Sequence, residues 1–247
     1  MHVGARRRGA RRSIVAASPP LLLLLSSVAA STDDNDKLPN LNTVLFGSLD
    51  GGRSAFVNAG VKRTIGGQLD RDGFVFMGAA GFGGAPERGM RFDAASFRPT
   101  AQGHALLGYQ WMLGSVTLSS LIGPEVDAEA NSLNTAGSAR TRFGLRGHAE
   151  LWAHPTPETL ATATLIAGSA RGHIWSRVSG GYAFWPGVFV GPEATFYASD
   201  HYREWRFGAH VTGFKWGPVN VRFSGGLLQS NDDRTGAYFG LSGYLRM

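Results

Sequence analysis

The chain has 247 residues, 35 of them glycine, no cysteine and a formal net charge of +6. Five of its 24 basic side chains, Arg6, Arg7, Arg8, Arg11 and Arg12, crowd into the first twelve residues; the remaining 19 balance 18 acidic groups, so the charge offers no basic surface for nucleic acid. The absence of cysteine excludes a disulfide framework and thiolate metal sites.

Residues 1–30 read as a signal peptide. The arginines form a basic start, Ser13 to Ala30 is apolar around Leu21 to Leu25, and Val28-Ala29-Ala30 is a small-residue cleavage site. Pro19 and Pro20 interrupt this run, which is also shorter than the ~20 residues a spanning helix needs. Residues 31–42 are polar and read as a flexible tail. Residues 43–247 suit one large domain.

From there, alternation of apolar and polar residues predicts twelve strands. They lie near 43–49, 54–65, 73–83, 102–112, 115–124, 139–152, 159–168, 172–184, 187–197, 203–215, 218–229 and 235–247. Their connections fall into two alternating classes. One class is short, as in the "LG" before residue 116 and the "WPG" at 185–187; the other is longer and polar, as in residues 84–100 and 125–138. Even strand number with loops sorted by parity is the pattern of a transmembrane, antiparallel, up-and-down β-barrel of the outer membrane of a Gram-negative bacterium. A soluble β-sandwich gives no reason for that sorting.

The stretch RFGLRGHAELW, Arg142 to Trp152, places Arg142, Arg146, His148 and Glu150 on one side and Phe143, Leu145, Ala149 and Leu151 on the other. The strand at 203–215 separates Glu204, Arg206, His210 and Thr212 from Trp205, Phe207, Ala209 and Val211 in the same way. With the oily side outermost against membrane lipids, the lumen collects a charge network of Glu125, Arg142, Arg146, Glu150, Arg177, Glu193, Arg206, Arg222 and Arg246. Trp111, Trp152, Trp185 and Trp216 all stand beside short turns and read as a periplasmic aromatic girdle.

An internal repeat runs through these segments. Gly123-Pro124-Glu125 recurs as Gly191-Pro192-Glu193, and Arg142-Phe143-Gly144 recurs as Arg206-Phe207-Gly208. Adjacent strands then predict contacts between Glu125 and Arg142 and between Glu193 and Arg206. The last strand is apolar at alternate positions counted back from Met247, resembling an outer-membrane assembly signal with Met in place of the usual Phe.

Catalytic patterns are weak. A lipid hydrolase needs Ser and His together at the lipid face. Ser120 and Ser176 are candidates for that face, but His104, His148, His173 and His210 fall on the inner one. Glu125 and Glu193 are repeat equivalents, which fits arginine partners better than a glycosidase pair. The stretch GFGGAPERG at 81–89 looks like a phosphate loop without the helix such a loop requires, and reads as a connection between strands. No catalytic, cofactor-binding or metal-ligating set is expected.

Several stretches resemble the BcsS family, small outer-membrane-type proteins associated with bacterial cellulose biosynthesis. The matching segments are GRSAFVNAGVKRTIGGQLDRDGFVFMGAAGFG (52–83), LLGYQWMLGSVTLSSLIGPEV (106–126), YAFWPGVFVGPEAT (182–195) and RFGAHVTGFKW (206–216). The resemblance implies a non-enzymatic accessory in synthesis or secretion of cellulose exopolysaccharide, with a glucan chain and other secretion components as partners. Its loop at 84–100 and its Met terminus depart from the family pattern. A generic small porin and a barrel enzyme acting on lipid or glycan stand as alternatives. Long arginines inside twelve strands predict a narrow, partly occluded lumen.

Overall fold

The structure is a computed structural model and describes residues 41–88, 95–130, 139–200, 202–231 and 235–247. The signal-peptide segment and residues 31–40 lie outside the described residues. Twelve strands follow one another: β1 (Thr43–Gly51), β2 (Ala55–Thr64), β3 (Gly73–Arg88), β4 (Ala95–Leu113), β5 (Val116–Ala130), β6 (Ala139–Ala153), β7 (Thr159–Gly168), β8 (His173–Trp185), β9 (Val188–Ala198), β10 (Arg203–Trp216), β11 (Val219–Ser230) and β12 (Thr235–Arg246). Each pairs antiparallel with its sequence neighbours, and β1 pairs with β12, so the sheet closes into a barrel. Closure leaves no edge strand, which a backbone in hydrocarbon requires.

The seam runs from Val44 opposite Arg246 to Gly51 opposite Phe239. It is fastened at its end by the Met247 carbonyl, which accepts hydrogen bonds from the amides of Asn42 and Thr43, each at 2.9 Å. We refer to this end, where turns such as Gly114–Ser115 and Pro186–Gly187 join the strands, as the short-turn end, and to the opposite one as the loop end.

Three strands outrun their expected length. β3 continues to Arg88, β4 begins at Ala95 and β5 reaches Ala130. The expected loop at 84–100 is therefore largely a ladder, with Gly84 opposite Pro99 and Arg88 opposite Ala95. GFGGAPERG belongs mostly to β3 for the same reason. Above the apolar band both faces of a barrel strand are wet, so the alternation that marks a strand fades while its backbone pairing continues.

The two Gly-Pro pairs interrupt the wall at matched positions. The β4–β5 register passes from His104 opposite Glu125 to Leu107 opposite Ile122, skipping Gly123-Pro124. The β8–β9 register passes from Ser179 opposite Glu193 to Tyr182 opposite Val190, skipping Gly191-Pro192. Proline has no amide hydrogen to give the ladder, so pairing on that side opens locally.

The outer face carries the large apolar side chains, with Phe184 at 82% and Phe143 at 81% exposure the extreme cases. Phe74, Trp111, Phe184, Trp185 and Trp216 are exposed near the short-turn end, and Phe82, Phe143, Trp205, Phe207 and Phe239 form a second group nearer the loop end. Phe74 packs edge-on against Tyr109 at 5.3 Å between ring centroids, and the Phe196 and Trp205 rings lie tilted at 4.1 Å. Along β3, Phe74 and Phe82 are eight residues apart, about 26 Å at ~3.3 Å per residue. That is the scale of the ~25 Å apolar band of an outer-membrane barrel.

Candidate functional site: the barrel interior

Strand parity decides what the interior contains. On β6, Arg142, Arg146, His148 and Glu150 all face inward, and so does Trp152 two residues further on. Trp152 therefore leaves the expected girdle. Trp111, Trp185 and Trp216 are exposed, whereas Trp152 lines the lumen, because it shares the parity of the charged set. Arg177, Arg206, Arg222 and Arg246 also line the interior, and Glu125 and Glu193 are almost wholly buried there.

The expected pairings are not the ones formed. Glu125 meets Arg146 at 3.6 Å, and Glu193 meets Arg222 of β11. Arg206 instead binds Glu204 of its own strand at 2.7 Å and lies over the Tyr238 ring at 5.5 Å. Register explains the failure. Glu125 stands opposite Gly144 and Glu193 opposite Gly208, while Arg142 stands opposite Asp127 and Arg206 opposite Thr195. The repeats thus share backbone register, with glutamate facing the glycine of Arg-Phe-Gly, but not ionic partners. A guanidinium on its long stem reaches the charge that packing presents, one strand over or two residues along.

Around Glu193, the Arg222 guanidinium also donates to Ser179 Oγ at 3.1 Å, Ser179 shares a hydrogen bond of 2.7 Å with Thr162, and the Tyr238 hydroxyl donates to the glutamate at 3.4 Å. A buried carboxylate without such partners would be expensive. Around Glu125, the amide of Ala170 in the β7–β8 connection donates at 2.9 Å. Gly168 lies beside that carboxylate and the His173 ring, so close that a Cβ there would collide with both.

A further tie crosses the bore. Lys62 on β2 donates to Glu150 on β6 at 3.0 Å and to Ser119 Oγ on β5 at 3.0 Å, while His148 lies 2.9 Å from the same glutamate. Gln110 continues this network to the β2–β3 turn, donating to the Leu69 carbonyl at 2.8 Å. Leu69 itself is buried. The turn thus folds back into the short-turn mouth, held also by the 2.5 Å bond from the Met112 amide to Asp72 and by the Asp70–Arg246 ion pair at 3.3 Å. Lys62 was legible only by its parity with Asn58 and Gly60 on β2; no motif marked it.

At the loop end, Arg171 bridges Asp127 at 3.5 Å and Glu129 at 3.3 Å, and Arg98 holds Glu129 at 2.8 Å. Beside this set the inner face carries Trp175, Tyr197 and Tyr202. None of these residues was singled out by the sequence, because their strands alternate without an extended apolar–charged contrast.

The walls differ in kind. Val75, Met77, Leu106 and Leu121 of β3–β5 form a buried apolar cluster with Phe46 against it. The wall from β8 to β11 instead presents Arg177, Glu193, Arg206 and Arg222. Between them lies one cavity of about 2040 Å³, lined by Arg98, Glu129 and Tyr202 at the loop end and by Ser115, His154 and Tyr244 at the short-turn end. Its lining residues thus come from both ends of the barrel, while the Lys62–Glu150 tie and the inward-folded Leu69 turn narrow it. Ser120 is exposed while His104, His148 and His173 line this cavity and His210 is buried, so these groups form no Ser–His pair across the wall.

A protein-family model described as "Cellulose biosynthesis protein BcsS" matches residues 44–247, the entire barrel. No curated protein matches the chain. Among solved structures, a "TodX deltaS2S3 mutant monoaromatic hydrocarbon channel" aligns with TM-score 0.53 at 8% identity, over 85% of this chain and 90% of that one. "LpxR from Salmonella typhimurium" aligns with TM-score 0.51 at 12% identity, over 83% and 100%. "KdgM porin" aligns with TM-score 0.50 at 8% identity, over 83% and 99%. At these identities the likeness is one of fold, that of outer-membrane barrels.

Proposed function

The chain belongs to the family of the cellulose biosynthesis protein BcsS, and from that premise we propose that it is a non-enzymatic barrel accessory of cellulose synthesis or secretion in the outer membrane of a Gram-negative bacterium. Signal-peptide cleavage after Ala30 delivers it there, with the short-turn end facing the periplasm. The observation that carries this reading is the match of a cellulose-biosynthesis family across every strand of a closed barrel whose cavity reaches both mouths. The exposed aromatic rings near both ends support an interfacial role for Trp111, Trp185 and Trp216.

The interior charge network gives the barrel a fixed bore rather than a reactive centre. Its carboxylates are engaged by guanidinium, ammonium and amide donors, which suits structural struts better than proton transfer. Partners of this reading are membrane lipids on the outer face, a glucan chain and other cellulose-secretion components.

Deletion of the gene in a cellulose-producing host tests the proposal. Extracellular cellulose falls and is restored by the wild-type gene. Unchanged polymer, with loss only of small-solute uptake, identifies a general porin instead; turnover of lipid or glycan by the detergent-purified protein identifies an enzyme.

A further inference from the structure

The loop-end mouth joins an aromatic strip to a polar rim. Trp175 and Tyr197 are direct cross-strand partners on β8 and β9, and both face the cavity. The Tyr197 ring lies 6.4 Å from that of His173, nearly parallel at 25°, and 6.0 Å from that of Tyr202. Four rings thus follow one another around the inner wall. Arg177 sits over one face of Trp175 at 5.5 Å and steadies it.

A buried polar atom completes the picture. His173 lines the cavity beside the aromatic strip and is 9% exposed. Among the described residues its Nδ1 makes no hydrogen bond. Buried polar atoms normally have partners, and a ring nitrogen suits a hydroxyl group, which can donate and accept.

Arg171 and Arg98 are held by Asp127 and Glu129, so their guanidinium and carboxylate groups stand as a fixed hydrogen-bonding rim. A neutral sugar ring has an apolar face for an aromatic plane and an equatorial rim of hydroxyls for the groups around it. A site of mainly aromatic surface with a few convergent polar groups has that form.

We infer that the loop-end mouth is a binding site for a segment of neutral β-linked glucan, with Trp175 and Tyr197 as its stacking platform and His173 as a hydroxyl partner. The ligand class rests on the proposed role in cellulose production, whereas the position of the site rests on the rings that line the cavity. The site receives the chain at the barrel's outer rim and orients it against the wall.

The test uses the full chain purified in detergent, with cellohexaose titrated calorimetrically and by tryptophan fluorescence. Folding of each variant is checked by its heat-modifiable migration on gels. Trp175→Ala and Tyr197→Ala each weaken binding at least tenfold, Trp175→Phe retains most of it, and Trp152→Ala at the opposite mouth leaves it unchanged. No binding of cellohexaose by the wild type, equal affinity in Trp175→Ala and wild type, or an equal loss in Trp152→Ala overturns the site. Tighter binding of a hexameric uronic acid overturns the neutral-ligand assignment. These outcomes are independent of the deletion experiment: lost cellulose with no cellohexaose binding removes the site and keeps the accessory role, and binding with unchanged cellulose does the reverse.

Discussion

His210 Nε2 lies 3.1 Å from the carbonyl oxygen of Gly180, although β9 runs between their strands. The contact occurs where Gly191-Pro192 interrupts the β8–β9 ladder and leaves Gly180 without a pairing partner in that register. His210 is 1% exposed and its other ring nitrogen is 2.8 Å from Thr212 Oγ1. The glycines at 181 and 191 make room for this reach: a Cβ at Gly191 would collide with the Gly180 carbonyl, and one at Gly181 would lie 3.3 Å from the imidazole. A side chain has thus replaced the amide that proline lacks.

Removing that substitute has a definite expected effect. His210→Ala leaves the partly buried Gly180 carbonyl without its donor and destabilises the barrel by about 1–3 kcal/mol. His210→Gln, which keeps a donor, loses less. Urea titration of the protein refolded into lipid vesicles reads the difference; equal midpoints for the two variants and wild type would show that the contact contributes nothing.

The Glu193–Arg222 pair is buried on both sides, at 2% and 7% side-chain exposure. Arg222→Met strands the carboxylate and costs about 3–5 kcal/mol, whereas Glu193→Gln combined with Arg222→Met costs less than Arg222→Met alone. The same titration measures both. An additive double variant would mean that the two groups act independently.

Lys62 and Glu150 bind across four strand positions of the barrel. Replacing both, as Lys62→Met with Glu150→Gln, removes a strut from the bore while leaving no lone charge. Single-channel conductance in planar bilayers should rise relative to wild type. Equal or lower conductance would place the narrowest point elsewhere.

Depth in the membrane separates two outer-face substitutions on β8. Val178 stands mid-strand and Phe184 near the short-turn end, both exposed. Val178→Arg costs about 2–4 kcal/mol, Phe184→Arg about 1 or less. Reversal of that order in vesicle unfolding would displace the apolar band from where the aromatic rings put it.

Much of this architecture was legible in alternation alone. Strand β7 begins and ends at the expected residues, and the Arg-Phe-Gly segments of β6 and β10 face as their periodicity dictates. Trp152 was misplaced because proximity to a turn was weighed above parity with Glu150. The upper parts of β3 to β5 were hidden because a strand wetted on both faces has no oily stripe. Ionic partners were hidden for another reason: register locates Cα atoms, while arginine chooses among charges within the sweep of its side chain. Trp175 and Tyr197 gained meaning only when β8 and β9 brought them abreast.

The contrast between the apolar cluster of β3–β5 and the ionic wall of β8–β11 makes the bore anisotropic. One side offers charged hydrogen-bonding groups and the other mainly apolar surface, so a flat, ribbon-like solute in the bore would find one roll angle favoured, with its polar face toward the arginines, a bias that a uniformly polar tube could not impose.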